Sequence, residues 1–551
     1  MLHVRWLGRV PYGEAYAVQK ALHAHGEEDH LLLLEHPSVF TLGVRGREDH
    51  ILVDPAGVGA AVVRTDRGGD VTYHGPGQLV GYPIVAVRTA PSSMPCYVRG
   101  VEQLVIDALA ELGISAARLP GYPGVWVDTE GSAPRKICAI GVRVARERSM
   151  HGFALNVDPD LDWFRRIIPC GIPDKAVTSV RAEGNPATMQ EVVEAVVRVA
   201  ARRWGPDGVV EHQEIAWPRG DAEPIAAEKG LPGPSPQVRV RLRRAGVDPD
   251  GGLAVSARKP SWLRVPARMG ASFHDLRHTV RSLDLVTVCE EAGCPNIFEC
   301  WAEGTATFMI NGERCTRACG FCLVDTRHPL ALDPAEPDRV AAAVARLRLS
   351  HAVITAVARD DLPDGGASAL AVTVAAIRRR CPATAVELLI PDCKGDDEAL
   401  GIVFASRPDV LNHNLETVVR LQHAVRPSAG YARSLAVLAK AKAAGLTTKS
   451  GLILGMGESE SEVLGALSDL RGVGVDIVTL GQYLRPTSAH VPVARWWTPD
   501  EFDRLAEAGR ALGFAHVQAS PLTRSSYHAR AAADAAAESG AGSTAVGAEC
   551  R

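Results

Sequence analysis

The sequence predicts two folded units of different class, an α+β domain followed by an α/β partial TIM-like barrel, and three observations lead there. The first half mixes helical stretches with isolated apolar runs. The second alternates short buried strand-like runs with Ala/Leu/Arg-rich stretches at helical spacing, and a proline-rich segment separates the two. At 551 residues the chain is too long for one domain. From Pro218 to Pro236 it carries five prolines and little that packs, which reads as a linker. The expected boundaries are therefore 1–217 for the first domain, 218–240 for the linker and 241–551 for the second domain. The Ala-rich, then Gly/Ser-containing tail after about Arg530 is expected to be disordered.

The first domain opens with a helical stretch at Tyr12–His25 and an apolar run at Leu31–Leu34, which ends in Glu35-His-Pro-Ser-Val-Phe-Thr-Leu-Gly43. Arg67–Gln78 then sets four glycines and one proline among Arg67, Tyr73, His74 and Gln78. That describes a tight loop presenting polar tips, either a binding loop or a complex hairpin. Cys170 lies between Pro169 and Gly171, a stiff residue and one without a side chain, so its thiol is expected on an exposed turn.

In the second domain the strand-like runs are Ala352–Val357, Ala385–Ile390, Val410–His413, Thr448–Leu454 and Asp476–Gly481. Between them lie helical patterns such as Asp338–Leu349, Ser434–Ala444 and Glu460–Asp469. Short buried parallel strands joined by helices close naturally into an incomplete barrel.

Six of the 12 cysteines fall within 34 residues, as Cys289-x4-Cys294-x5-Cys300 and Cys315-x3-Cys319-x2-Cys322. Each triplet offers three thiolates, one short of a closed zinc or iron-sulfur site, so two soft-metal centres are expected. A structural zinc knot or a redox-only site is the plainer alternative for the second triplet. Cys-x3-Cys-x2-Cys resembles the signature of the radical S-adenosylmethionine (SAM) enzymes, in which the open iron chelates the methionine moiety of SAM. There the cluster and SAM together generate a radical able to take hydrogen from an unactivated carbon.

The first triplet stands in Val288-Cys-Glu-Glu-Ala-Gly-Cys-Pro-Asn-Ile-Phe-Glu-Cys-Trp301, which resembles lipoyl synthase. The resemblance runs from about Arg258 to Ala529 and includes Ala306-Thr-Phe-Met-Ile310, Asn412-His-Asn-Leu-Glu-Thr417, Gly455-Met-Gly-Glu458, Gly481-Gln-Tyr-Leu-Arg-Pro-Thr487 and Arg524-Ser-Ser-Tyr-His-Ala529. It implies two [4Fe-4S] clusters, one SAM-binding on Cys315, Cys319 and Cys322, the other an auxiliary sulfur donor on Cys289, Cys294 and Cys300. Ser526 is the implied fourth ligand of the auxiliary cluster, with Ser525 as the fallback; a turn whose serines bond only to backbone is the plainer alternative. Phe321, beside the last cysteine, and Asn412, Asn414 and Glu416, which follow a strand, are candidates for SAM. Lys449 and Arg485 sit at comparable strand ends and are candidates for the methionine carboxylate or the substrate, with surface ion pairs as the alternative.

The first domain resembles octanoyltransferase, a relative of the biotin and lipoate protein ligases. Pro123-Gly-Val-Trp126, Lys136-Ile-Cys-Ala-Ile-Gly-Val-Arg143, His151-Gly-Phe-Ala-Leu-Asn156, Ile168-Pro-Cys-Gly-Ile172 and the Arg67–Gln78 loop carry the likeness. It implies an acyl-transfer dyad of Cys170, which carries the octanoyl group, and Lys136, which favours the thiolate and relays the proton. It also implies an acyl site formed by Arg67, Tyr73, His74, Gly75, Gln78, Ala139, Ile140, Gly141, His151, Gly152 and Phe153. The roles of His74 and His151 stay open, and Cys138 is expected to pack rather than react. A mainly antiparallel sheet with a C8 tunnel is expected, each buried methylene contributing roughly 0.8 kcal/mol to chain-length selectivity.

Joined, the resemblances imply transfer of octanoyl from octanoyl-acyl carrier protein to a lysine of a lipoyl carrier domain, then sulfur insertion at C6 and C8. Implied partners are the lipoyl domains of 2-oxoacid dehydrogenases, the glycine cleavage H protein and a reductant such as ferredoxin or flavodoxin. The alternative is a second half that is another radical SAM sulfur-inserting enzyme, or inactive, with an ATP-dependent lipoate ligase-like first half. A formal charge of -4 and pI of about 6.5, without a basic block, give no sign of nucleic-acid binding. Neither an export signal nor a run of about 18 apolar residues is present, so no membrane partner and a cytoplasmic location are expected.

Overall fold

The computed structural model describes residues 1–87, 93–169, 175–205, 210–213, 234–264, 270–288, 294, 296–302 and 305–546. Cys170, Cys289 and the linker residues 218–233 lie outside the described residues. The chain divides into two compact units, Met1–Glu214 and Ile215–Arg551.

In the first unit a nine-stranded sheet is built from β1 (Leu2–Arg9), β2 (Asp29–Glu35), β6 (Gln78–Ile84), β7 (Ala117–Leu119), β8 (Tyr122–Val127), β9 (Arg135–Ala145), β10 (Arg148–Asn156), β11 (Ala176–Val177) and β12 (Val210–Gln213). Its order is β12-β1-β2-β6-β10-β9-β8-β7, with β11 paired to β9. From β2 to β7 every neighbour is antiparallel, and β12, β1 and β11 pair in parallel. A second sheet joins β3 (Val39–Leu42), β4 (Ala61–Arg64) and β5 (Val71–His74) in the order β4-β3-β5. Helices α1 (Tyr12–His25), α2 (Ser93–Glu111) and α3 (Met189–Trp204) complete the unit. The start of α3 is fixed by a capping box: Thr188 accepts from the Glu191 amide and Glu191 from the Thr188 amide. Its Val192, Val193, Val196 and Val199 then bury one face.

The second unit has one sheet, β13 (Val286–Thr287), β14 (Thr305–Ile310), β15 (His351–Ala356), β16 (Ala385–Leu389), β17 (Val410–Asn412), β18 (Thr448–Leu454), β19 (Ile477–Gln482) and β20 (His516–Ala519), ordered as the chain runs. All pairs from β14 to β20 are parallel; β13 alone is antiparallel. Parallel neighbours need crossover connections. Helices at 336–347, 367–380, 397–405, 431–443, 460–472 and 499–511 provide them. No pairing of β20 with β13 or β14 is found among the described residues, so the barrel is incomplete.

Two expectations are corrected. The segment assigned to the linker up to residue 240 already contains a helix, Pro236–Arg244, capped by Ser235 with proline in its first turn. Of the tail after Arg530, the described residues, up to 546, belong to the helix Ala529–Val546. Alanine is the strongest helix former, and Ala532 and Ala536 are buried against Val410 and Ile477, so the segment has both propensity and a docking site. Ala532→Asp would set a carboxylate on that apolar contact; a cost of about 2–3 kcal/mol to the second unit is expected, read as a lowered urea midpoint of the full chain.

Candidate functional site

The first unit holds a cleft of about 460 Å³, part of it open to solvent, between the loop 67–69, strands β9 and β10, and Tyr12 of α1. Glycine keeps it open. Gly141 and Gly152 face each other across β9 and β10, and a Cβ on Gly152 would come within 2.1 Å of the Gly81 carbonyl. The Phe153 ring lies over Gly81, where a Cβ would stand 2.2 Å from it. Ala139, Ile140, His74 and His151 also line the cleft.

The histidines here are buried and neutral. His36 Nε2 is 2.7 Å from the Tyr82 hydroxyl, His74 Nδ1 2.8 Å from Gln78 Oε1, and His151 Nε2 2.7 Å from Asp66 Oδ1. Burial drives His36 down to about 4 and His151 to about 3, and takes His74 well below its ordinary value, with Arg67 pushing the last two further. His151 also holds a left-handed backbone, φ +57°.

A smaller cavity adjoins the cleft, sharing Thr72, Ala139 and Ala154 with it. Lys136, Gln78, Asn156 and Pro169 line it. Gln78 donates to Asn156, which donates to the Thr178 carbonyl, so the polar wall is fixed. The Lys136 ammonium sits 4.8 Å over the Trp126 ring. Pro169 brings the chain to this cavity immediately before Cys170.

In the second unit the candidate groups follow the carboxyl ends of the parallel strands, the usual location of sites in such barrels. The loop with Cys315, Cys319 and Cys322 follows β14 and is held by backbone bonds from Thr316 to Ala358, from Gly320 to Val425 and from Val491 to Gly320. Arg317, within that loop, is buried and bonds Asp360 at 2.8 and 2.9 Å and Asp392 at 2.6 Å, both beyond strand ends. Burial alone would disfavour the Asp392 carboxylate, but Arg317 keeps it below the usual range. Burial pushes Cys322 up to about 12 and Cys319 upward. Burial by itself therefore disfavours these thiolates, and a cationic centre is what would hold them in that form. Among the described residues no three His, Cys, Asp or Glu side chains converge on one metal ion. In a four-iron cube each thiolate binds its own iron, so no single point of convergence is required.

A second small cavity is lined by Cys294, Cys300, Arg524, Ser526 and Tyr527. Ser525 turns away from it, its Oγ accepting from Asn414 Nδ2 at 2.8 Å. Asn414 also donates to Glu416, a half-buried residue with φ +69° whose carboxyl is pushed up by desolvation.

Three family models match the chain: the lipoyl protein ligase A/B catalytic domain over residues 11–201, the N-terminal domain of lipoyl synthase over 252–294, and the radical SAM superfamily over 309–470. The lipoyl synthase of Rubrobacter xylanophilus is 56% identical over 273 residues, 49% of this chain and 85% of that protein. That of Mycobacterium avium is 56% identical over 272 residues, 49% of this chain and 89% of that protein. The chain belongs to the lipoyl synthase family. Its first unit is a lipoyl protein ligase A/B-type catalytic domain with the biotin/lipoate ligase fold, and its second has the radical SAM α/β fold. A solved structure of lipoate-protein ligase A bound with ATP is 18% identical, over 38% of this chain and 88% of that one, with a TM-score of 0.33.

Several expected positions are corrected. Of the polar residues in the Arg67–Gln78 loop, Arg67, His74 and Gln78 line the two cavities, but Tyr73 does not. Arg67 is buried and donates to the Thr41 and Asp70 carbonyls. Tyr73 packs with Trp163 and Phe164 on the face opposite Thr72 and His74, as alternation along β5 requires. Gly75 gives room to the Tyr73 hydroxyl, which a Cβ would meet at 1.9 Å. Lys449 is the second residue of β18, at its amino-terminal end, fully buried, and bonds Glu387 at 3.0 and 3.1 Å. Asn412 donates to the same Glu387. Arg485 folds onto the carbonyls of Ser488 and His490, and Phe321 is half-buried in the cysteine loop. Cys138 is buried and packs, as expected.

Sequence reasoning did not find Tyr12, Tyr82, His36, Asp66, Arg317 or Glu387. Tyr12, Tyr82 and Glu387 sit on a helix or strands and His36, Asp66 and Arg317 in loops, and none has a spacing to mark its partner.

A histidine with a lowered pKa is neutral in the fold and protonates more readily when unfolded. Its contribution is intact above about 6.5 and lost as pH falls towards 4. The first unit's urea midpoint is therefore expected to hold steady above pH 7 and to fall between about pH 6.5 and 4, and an unchanged midpoint at pH 5 would contradict the buried neutral cluster. Lys449→Met leaves buried Glu387 with only His351, at 3.6 Å, as a possible counter-charge and is expected to cost about 3–5 kcal/mol in chemical unfolding, whereas the double change with Glu387→Gln recovers most of it.

Proposed function

We propose that the chain catalyses two consecutive steps in making the lipoyl group. The first unit moves an octanoyl chain from the phosphopantetheine thioester of acyl carrier protein, through Cys170, to a lysine of a lipoyl carrier domain. The observation that supports this best is the cavity shared by Lys136 and Pro169, which sets an ammonium beside the residue before Cys170. An ammonium there favours the thiolate for attack on the thioester carbon. The C–S bond to the carrier breaks, and a second attack by the acceptor amine forms the amide and frees Cys170. Ala139, Ile140, Gly141, Gly152 and Phe153 give the acyl chain its apolar wall, with His74 and His151 as neutral hydrogen-bonding groups.

In the second unit Cys315, Cys319 and Cys322 would hold the [4Fe-4S] cluster that binds SAM. Cys294 and Cys300, with Cys289 and Ser526, would hold an auxiliary one. Bound, these supply one-electron chemistry and sulfur for C6 and C8. Asn414 and Glu416 are the residues we assign to SAM, while Asn412 and Lys449 are engaged by Glu387. The carriers proposed as acceptors are the lipoyl domains of 2-oxoacid dehydrogenases and the glycine cleavage H protein, with ferredoxin or flavodoxin as reductant.

The match to a ligase A/B domain favours a second reading of the first unit, ATP-dependent attachment of a free acid. Anaerobic incubation of the reconstituted chain with octanoyl-acyl carrier protein, an apo lipoyl domain, SAM and reductant should raise the acceptor mass first to octanoyl and then to lipoyl. Cys170→Ala should abolish the first shift. A mass shift only with ATP and free octanoate would sink the thioester route and leave the ligase.

A further inference from the structure

Ser525 and Ser526 are adjacent but face different surroundings. Ser526 lines the cavity of Cys294 and Cys300, whereas Ser525 is tied to Asn414. The orientation of the Asn414 carboxamide is fixed by its neighbours: the Glu416 carboxylate, raised by burial yet still accepting at 3.1 Å, lies beside Nδ2 together with Ser525 Oγ. That leaves Asn414 Oδ1 buried and without a hydrogen-bond partner. It points past Gly451, where a Cβ would approach it to 3.1 Å, so glycine leaves space on that side. The backbone of the same residue is held by Arg426, which donates to the Asn414 carbonyl at 3.2 Å and the Leu415 carbonyl at 3.0 Å. The cysteine loop reaches the same segment by backbone, Gly320 donating to the Val425 carbonyl at 2.7 Å. A continuous chain of contacts thus runs from the Cys315–Cys322 loop through Val425 and Arg426, Asn414 and Ser525 to the segment that carries Ser526.

We propose that Asn414 and Ser525 couple the two thiol-lined sites: an amine donor presented to Asn414 Oδ1 fixes the carboxamide, and through Ser525 holds Ser526 in the Cys294–Cys300 cavity. The donor is the amino group of a nucleoside amino acid such as SAM, so the proposal rests on the reading of the Cys315–Cys322 loop given above. Ser525 is a positioning residue, acting on its neighbour and not on the reacting atoms. Coupling is reciprocal, so loss of the Ser525 link separates the two sites without emptying either.

The test is hydrogen exchange over residues 520–528 in the anaerobically reconstituted full chain, with and without S-adenosylhomocysteine, which keeps the amino acid end but cannot be cleaved. In the parent chain the nucleoside should slow exchange there about fivefold. Ser525→Ala should lose that slowing while binding S-adenosylhomocysteine within about threefold of the parent by equilibrium dialysis, and Ser525→Thr, which keeps the hydroxyl, should retain it. Undiminished slowing in Ser525→Ala overturns the coupling, as does its absence from a parent chain that binds the nucleoside. A parent chain that does not bind it overturns both the coupling and the SAM reading. An iron content of about four rather than eight per chain would remove only the auxiliary cluster, and the exchange result would still decide the coupling.

Discussion

Parallel strands cannot be joined by tight turns, and this one constraint organises the second unit. Each crossover helix returns the chain to the amino end of the next strand, so every loop that leaves a strand leaves at the same edge. The cysteine loop after β14, Asp360 after β15, Asp392 after β16, Asn414 and Glu416 after β17 and the serine segment after β20 are gathered by topology, although they are spread over more than 200 residues of sequence. Within the sheet lies a fully buried ion pair of Glu387 and Lys449, to which Asn412, the last residue of β17, also donates. Arg317 binds the cysteine loop to two of the strand ends, turning a loop of backbone contacts into a fixed platform.

The first unit solves a different problem. An apolar cleft has to contain polar groups without attracting charge, and here burial suppresses protonation of three imidazoles. Their partners are a tyrosine hydroxyl, an amide and a carboxylate, so each ring is oriented as well as neutral. The glycines at 81, 141 and 152 thin the wall at the positions where backbones and the Phe153 ring meet.

Much of this was legible in sequence because it depends on local pattern. Strand and helix periodicity in the second half, the two cysteine triplets, the apolar run of β2 and the extent of α1 all depend on neighbours within a few residues. What failed depends on partners far along the chain. The Ala-rich tail read as disordered because no single sequence feature reveals Val410 and Ile477 waiting for Ala532. Lys449 read as a strand-end cation because its distance from Glu387, 62 residues earlier, has no signature. A glycine-rich loop gives no hint that Tyr73 turns away from the cleft that its neighbours line. The register of β5 decides that, and the register is a tertiary fact.

The serine segment is pinned at both ends, by β20 on one side and by the docked helix on the other. Only the nine residues from 520 to 528 lie between them. A side chain on so short a tether does not diffuse away when it releases a partner. Its return is intramolecular, at an effective concentration that free solutes such as water-borne anions or thiols do not match. For Ser526, which lines the cavity of Cys294 and Cys300, the consequence is that its hydroxyl stays close to those thiols through the anchorage of its segment, whatever partner it gains or loses there.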